Sequence, residues 1–242
     1  MKVAIYNDCD VNSYKHFGCE LVMETFKDQL SRVDCELVGT VKKDNFRDAA
    51  HVKSILDKSD LVIVNGEGSL HHDRRNDLLA IGKNWNSILI NTVFEKNVAS
   101  GLENFKYISC RESYSARAAK EASGLDIDTI PDIIFTNKRI NSLKLSGKKK
   151  HVIINHFRSG EISTNNNAND FLKEVIEYES ISSISFHSLI IAMILGQKII
   201  KIIPTTTHKN SGLLHDYKAD ENYVSNAKRK INTMFENIHS WV

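Results

Sequence analysis

Leu61-Val-Ile-Val-Asn-Gly-Glu-Gly-Ser-Leu-His-His-Asp73 is the stretch that decides the fold. Its first four residues form an uninterrupted apolar run, the pattern of a strand buried on both faces. Gly66 and Gly68 follow at once, where the chain must turn and where a ligand can approach the backbone closely. Such a turn at the carboxyl end of a buried strand lies where parallel α/β sheets bind ligands, and its amides can cradle a phosphate or carboxylate. A tight β-to-α connection with no ligand uses the same glycines. Five polar residues, Glu67, Ser69, His71, His72 and Asp73, crowd the turn. Glu67 or either histidine can act as general base toward a hydroxyl if burial brings its pKa near neutrality. The competing reading makes Glu67 a cap and the histidines surface residues. His71 and His72 are adjacent rather than one helical turn apart, and no metal site is read from them.

Outward from this stretch the first half alternates strands and helices. Strands are predicted at Val3–Tyr6, Glu36–Val41, Leu61–Val64, Ile88–Asn91, Tyr107–Cys110 and Asp128–Ile130. Helices are predicted at Phe17–Leu30, Phe46–Lys58 and Glu112–Ala122; the first carries Leu21, Val22, Thr25, Phe26 and Leu30 at helical spacing. That order argues for right-handed crossovers into a mostly parallel sheet. The polar, basic segment Asn137–Lys150 reads as a linker. The pattern then restarts: strand Val152–Asn155, helix Ala168–Tyr178, strand Ile181–Ser185, apolar helix Ser188–Leu195, strand Lys198–Ile203 and helix Asn222–Ile238. The fold class is therefore α/β, in two Rossmann-like lobes with mostly parallel sheets. The expected division is 1–140 and a short second lobe, 141–242.

Composition narrows the function. The chain has 242 residues, 41% of them hydrophobic, and a formal net charge of +2. A near-balanced charge argues against general nucleic-acid binding, so any anion site must be built locally. Cysteines stand at 9, 19, 35 and 110 with no C-x-x-C pair, which suits buried, reduced thiols. The polar Asn7 comes too early for a secretory leader, and Ser188–Gly196 is about half the length of a bilayer span. Together these predict a cytoplasmic protein without a transmembrane segment.

Two further junctions can meet the glycine turn. Cys110-Arg-Glu-Ser-Tyr-Ser115 ends a strand with Arg111, a planar fork for carboxylate or phosphate, while Ser113 and Ser115 can cap the next helix. An Arg111–Glu112 or interlobe salt bridge is the alternative. Pro131-Asp132 ends the following strand, and Asp132 reads as a turn former. Ser185-Phe-His-Ser188 opens the apolar helix, so His187 and the first helix amides suit an anionic leaving group. His156, Phe157 and Arg158 are expected on the opposite wall, and His208-Lys209 on a basic rim.

Taken in order, these segments resemble the polysaccharide pyruvyl transferase family. The resemblance rests on Asn12 through Glu20, Val64 through Asp73, Leu89-Ile-Asn-Thr92, Arg111-Glu-Ser-Tyr-Ser115, Pro131-Asp-Ile-Ile-Phe135 and Ser185-Phe-His-Ser-Leu-Ile-Ile-Ala192 before Gly196. It implies a GT-B-like frame with the active site between the lobes. It also implies transfer of pyruvate from phosphoenolpyruvate onto two hydroxyls of a sugar in a bacterial surface-polysaccharide precursor. No cofactor is implied beyond that donor. The acceptor would be a sugar or lipid-linked glycan, with peripheral membrane association if the precursor is membrane-bound. By the same resemblance, Glu67, His71, His72 and His187 are candidates for catalysis, and Arg111 and Arg158 for holding the donor's charges. Asn12, Asn65, Gly66, Gly68, Ser69, Asn91, Ser115, His156, Ser188 and Lys209 are candidate substrate contacts. Many members carry an arginine two residues before the second-lobe histidine, where this chain has Ser185. A glycosyltransferase using a nucleotide-activated sugar and a non-catalytic glycan-binding relative are the alternative functions on this frame.

Overall fold

A computed structural model describes residues 1–11, 16–155 and 162–242. In chain order its elements are β1 (Lys2–Asp8), α1 (Phe17–Arg32), β2 (Glu36–Lys42), α2 (Ala49–Leu56), β3 (Leu61–Asn65), β4 (Leu70–His71), α3 (Asp77–Asn84) and β5 (Ser87–Thr92). Next come β6 (Phe94–Glu95), β7 (Tyr107–Cys110), α4 (Ser113–Ser123), β8 (Asp128–Thr129), a 3-10 turn (Ile133–Thr136) and α5 (Lys138–Asn141). The remainder is β9 (Lys149–Ile154), α6 (Ala168–Val175), β10 (Tyr178–Ser183), α7 (Phe186–Leu195), β11 (Lys198–Ile202), α8 (Lys209–Ala219) and α9 (Tyr223–Glu236). Two parallel sheets organise them, one ordered β2-β1-β3-β5-β7-β8 and one ordered β11-β10-β9. The fold is α/β and Rossmann-like, as its alternating pattern implies.

Burial explains the order of the larger sheet. All residues of β3 and β5 are buried, whereas β2 has one buried position. Continuous apolar runs thus take the centre and the mixed strand takes an edge. Alternate residues then feed two cores, as the pleat requires. Val3, Ile5, Leu61, Ile63, Ile88 and Ile90 face α1 and α9, in a core that extends into the second sheet through α7. Ala4, Tyr6, Val62, Val64 and Leu89 face α2, α3 and α4. α9 follows the second sheet in sequence yet packs on α1: Phe235 meets Phe26 edge-on at 6.3 Å, and Gln29 Nε2 donates to Asn232 at 3.1 Å.

Several boundaries differ from the sequence expectation for physical reasons. Tyr178 opens β10 instead of ending α6, because Lys149 pairs with it in register. The segment 137–150 is not a plain linker. Asn137 is buried, its side-chain amide donating to Thr25 Oγ1 at 3.0 Å, and Ile140 enters the core. Lys149 and Lys150 already belong to β9. α7 starts at Phe186 with Ser185 as its cap, and eight of its residues are buried, from Phe186 to Met193. No helix among the described residues is long and apolar enough to cross a membrane.

Candidate active site

The carboxyl ends of both sheets converge on one cavity of about 740 Å³. Its wall is built from Cys9 and Val11 after β1, Glu67 and Gly68 after β3, Arg111 after β7, Ser185 to His187 at the start of α7, and Pro204 to Thr207 with Lys209 after β11. That volume falls in the range of small-molecule sites, at the position where open parallel sheets bind ligands.

The glycine turn is held from below. Asn65 is fully buried; its Nδ2 donates to Asn7 O at 3.3 Å and its Oδ1 accepts from Glu67 N at 3.3 Å. Asn7 Nδ2 returns a bond to Asn65 O at 2.5 Å, and Arg75 Nη1 donates to Asn7 Oδ1 at 2.8 Å. Asn7 and Asn91 both adopt left-handed backbone, φ 68° and 58°, which asparagine tolerates better than most residues. Gly66 is required for packing, since a Cβ there would strike the Thr92 side chain. Gly68 sits at φ +59°, left-handed backbone that glycine adopts without strain. Ser69 Oγ donates to Glu67 O at 2.7 Å.

Across from the turn stands His187, buried at the first turn of α7. Its Nε2 lies 3.2 Å from Glu67 Oε1 and 3.6 Å from Asp132 Oδ2. Neither contact is aligned well enough to satisfy that nitrogen as a hydrogen bond. The ring presses on α1 at Gly18, where any Cβ would overlap Nδ1. Arg111 is 1% exposed; its Nη1 donates to Asp132 Oδ2 at 2.9 Å and its guanidinium lies 3.9 Å from the Phe186 ring centroid. Burial pushes the Asp132 carboxyl up, but the His187 imidazole beside it, the Arg111 charge and the Ile134 amide outweigh it and hold it below its ordinary range. A continuous line of ionisable side chains thus runs Arg111–Asp132–His187–Glu67.

Two bases complete the rim. Burial and the charges of Lys209, His72 and Arg74 push His71 below its usual pKa, so its imidazole is neutral near pH 7. Burial, then the Arg111 charge, pushes Lys209 down to about 8, against the pull of Glu67, Cys19 and Asp132.

The structure sorts the expected site residues. Glu67, Gly68, His71, Arg111, His187 and Lys209 line the cavity. Asn65, Gly66, Ser69 and Asn91 sit behind it as supports. Ser115 is displaced from the expected role: it is fully buried, its Oγ 3.4 Å from His208 Nε2. Ser188 is likewise spent inside α7's cap, its hydroxyl bonded to Ser183 Oγ and Ser185 O. His72 is exposed and its amide donates to Glu95 O at 2.9 Å, so it does not join the wall. Asn12, His156 and Arg158 lie outside the described residues. Arg111 pairs with Asp132, not with Glu112; Glu112 instead caps α4, accepting from Tyr114 N at 2.8 Å. Asp132 is the residue that sequence reasoning missed. It does form the turn, Oδ1 accepting from Ile134 N at 3.1 Å, but its other oxygen serves Arg111 and His187. Cys9 and Cys19, expected as buried, reduced thiols, both face the cavity.

Comparison with known proteins agrees with this architecture. A solved Klebsiella pneumoniae protein, itself described as uncharacterised, superposes with a TM-score of 0.62 at 14% identity, covering 92% of this chain and 90% of its own. An α-glucosyltransferase solved with UDP and a 13-mer DNA superposes with a TM-score of 0.52 at 7% identity, covering 99% and 95%. Both likenesses concern the fold. No curated protein matches the sequence. The profile described as polysaccharide pyruvyl transferase matches residues 16–204, from the start of α1 to the cavity wall after β11. With that span covering most of the chain, the His187 junction and every strand of the two sheets except β1, the chain belongs to the polysaccharide pyruvyl transferase family.

Proposed function

We propose that this transferase moves pyruvate from phosphoenolpyruvate onto two hydroxyls of a sugar in a surface-polysaccharide precursor. The observation that carries the reading is the line Arg111–Asp132–His187–Glu67 on the cavity wall. The reaction needs one proton delivered to the donor's methylene carbon, which becomes the ketal methyl. It also needs cations for the donor's carboxylate and phosphate, and a base for the attacking hydroxyl. Two oxygens of the acceptor end on the donor's central carbon and inorganic phosphate departs. Of the two hydroxyl protons released, one balances the new methyl and one leaves with phosphate.

His187 suits the proton delivery, because its Nε2 sits between two carboxylates without being locked to either. Lys209 and Arg111 suit the donor's anionic groups, with the amino end of α7 adding its dipole. Arg111 also fixes Asp132, and so the ring. His71, neutral and on the rim, suits the first deprotonation of an acceptor hydroxyl. Glu67 serves as the partner of His187. Nothing in this chemistry requires a resident cofactor. Cytoplasmic location, with access to a lipid-linked precursor at the membrane surface, completes the proposal.

A panel assay tests it. The purified protein is given phosphoenolpyruvate or nucleotide-activated sugars with a set of glycan acceptors. Acceptor-dependent phosphate release from phosphoenolpyruvate supports the reading. Nucleotide release from an activated sugar, with none from phosphoenolpyruvate, overturns it in favour of glycosyl transfer.

A further inference from the structure

We infer that Cys9, Cys19 and Glu67 form a binding site for one thiophilic divalent cation, zinc by its chemistry, on the wall of the same cavity. Cys9 follows β1, Cys19 lies in the first turns of α1, and Glu67 lies in the glycine turn. Three separate segments therefore deliver two sulfurs and a carboxylate to one point. Their ligand atoms all lie within 4.8 Å of one another. Cys9 Sγ is 2.8 Å from Glu67 Oε2, and Cys19 Sγ is 4.0 Å from Glu67 Oε1. Zinc bonds of roughly 2.3 Å to sulfur and 2.1 Å to oxygen place tetrahedral ligand atoms about 3.6–3.8 Å apart. The observed separations straddle that value, so small side-chain rotations suffice to close on an ion.

The surroundings carry the features of an outer shell. Asn65 Nδ2 points at Cys9 Sγ from 3.7 Å, and the same asparagine's Oδ1 fixes the Glu67 backbone through its amide. Glu67 turns one oxygen to Cys9 and the other toward His187 Nε2. Partners that orient ligands in this way are typical of metal centres. Three protein ligands leave a fourth tetrahedral position, and all three residues line the cavity. That is the pattern of an open site, where an anionic oxygen of a bound small molecule or a water completes the shell. Two thiolates select a soft or borderline ion over magnesium or calcium.

Burial, with Cys19 and the Glu67 charge beside it, pushes the Cys9 pKa well up. Ligation takes the thiolate form, so an ion that binds Cys9 displaces its proton. The inference stands apart from the proposed transfer, since it is read without substrate.

The test uses the untagged full chain, stripped with a chelator, kept reduced with a phosphine, and titrated anaerobically with cobalt(II) as the spectroscopic stand-in. A thiolate-to-cobalt charge-transfer band saturating at one equivalent and abolished by zinc is the expected result. Cys9→Ser and Cys19→Ser should each remove much of that band and weaken binding at least about tenfold. Cys35→Ser should leave it intact, because Cys35 lies away from the cavity, with Sγ 4.0 Å from His239 Nε2. Absence of the band in the wild-type chain overturns the inference. So does a band that survives the Cys9→Ser, Cys19→Ser double variant or disappears in Cys35→Ser.

Discussion

Gly18→Ala separates the proposed proton donor, His187, from the fold that holds it. Gly18 lies in the first turn of α1, where its missing side chain makes room for His187. A Cβ built there would lie 2.6 Å from Cγ and 2.9 Å from Cε1 of the imidazole, against an ordinary contact of 3.4 Å or more. The ring must therefore retreat by at least about 0.8 Å, and Nε2 moves with it off the line between Glu67 and Asp132. A misplacement of about 1 Å at a reacting group costs about a hundredfold in rate, or roughly 2.7 kcal/mol of barrier. Alanine is the better helix former by about 0.8–1 kcal/mol, which offsets part of the overpacking cost of about 1–3 kcal/mol. The expected outcome is a folded protein, its melting temperature lowered by a few degrees, with turnover down about a hundredfold. The assay is acceptor-dependent phosphate release from phosphoenolpyruvate, read beside circular dichroism melting. Full turnover in a folded Gly18→Ala protein would refute the placement of His187 at the reacting centre.

Other perturbations probe the rest of the site. Arg111→Ala should lower turnover at least tenfold and also destabilise the chain by about 3–5 kcal/mol, because it strands the buried Asp132 carboxylate; denaturant unfolding measures the second effect. Lys209 is held at about 8 against an ordinary 10.5, so the folded chain gives up this proton first. Between those values the unfolded chain binds more protons, and this residue's contribution makes stability rise with pH. Donor affinity should fall over the same window, and Lys209→Met should abolish that step in a calorimetric pH series. Gly212→Ala places a Cβ against the Glu112 carboxylate, 2.8 Å from Cδ. Forcing α8 off the α4 cap should cost about 1–3 kcal/mol, visible as a lowered melting temperature; an unchanged value would contradict the tight helix contact.

Much of this architecture was legible because the larger sheet has buried central strands. Leu61–Val64 and Ile88–Ile90 are apolar without interruption, and α1 repeats its apolar residues at helical spacing. α3 and α8 were missed. α8 mixes Gly212, His215 and Asp216 with only Asn210, Gly212 and Leu213 buried, so no apolar stripe announces it; Gly212 is there for the Glu112 contact. Tyr178 was misread because strand pairing with Lys149 is a long-range fact that local periodicity does not contain.

The site was legible where one segment carries it, as in Asn65–His71 or Ser185–His187. It was not where segments meet. Asp132 looks like a turn residue in the sequence and is one; only the fold brings Arg111 and His187 to its second oxygen. Cys9 and Cys19 carry no spacing motif, and their meeting with Glu67 depends on β1, α1 and β3 together. Ser185 proves to be the cap of α7, its Oγ accepting from Ser188 N at 3.4 Å. The nearby cation after β11 is Lys209.

The most direct measurement of the central claim is the fate of a solvent proton. With phosphoenolpyruvate and a competent glycan acceptor in deuterated water, the proposed route puts one deuterium in each ketal methyl group, with one phosphate released per ketal. Mass spectrometry and proton NMR of the isolated product read both. A ketal methyl with one deuterium, lost together with product in His187→Ala, is the predicted result. A product that keeps the donor's methylene group, or label-free glycosyl transfer from a nucleotide sugar, would contradict it.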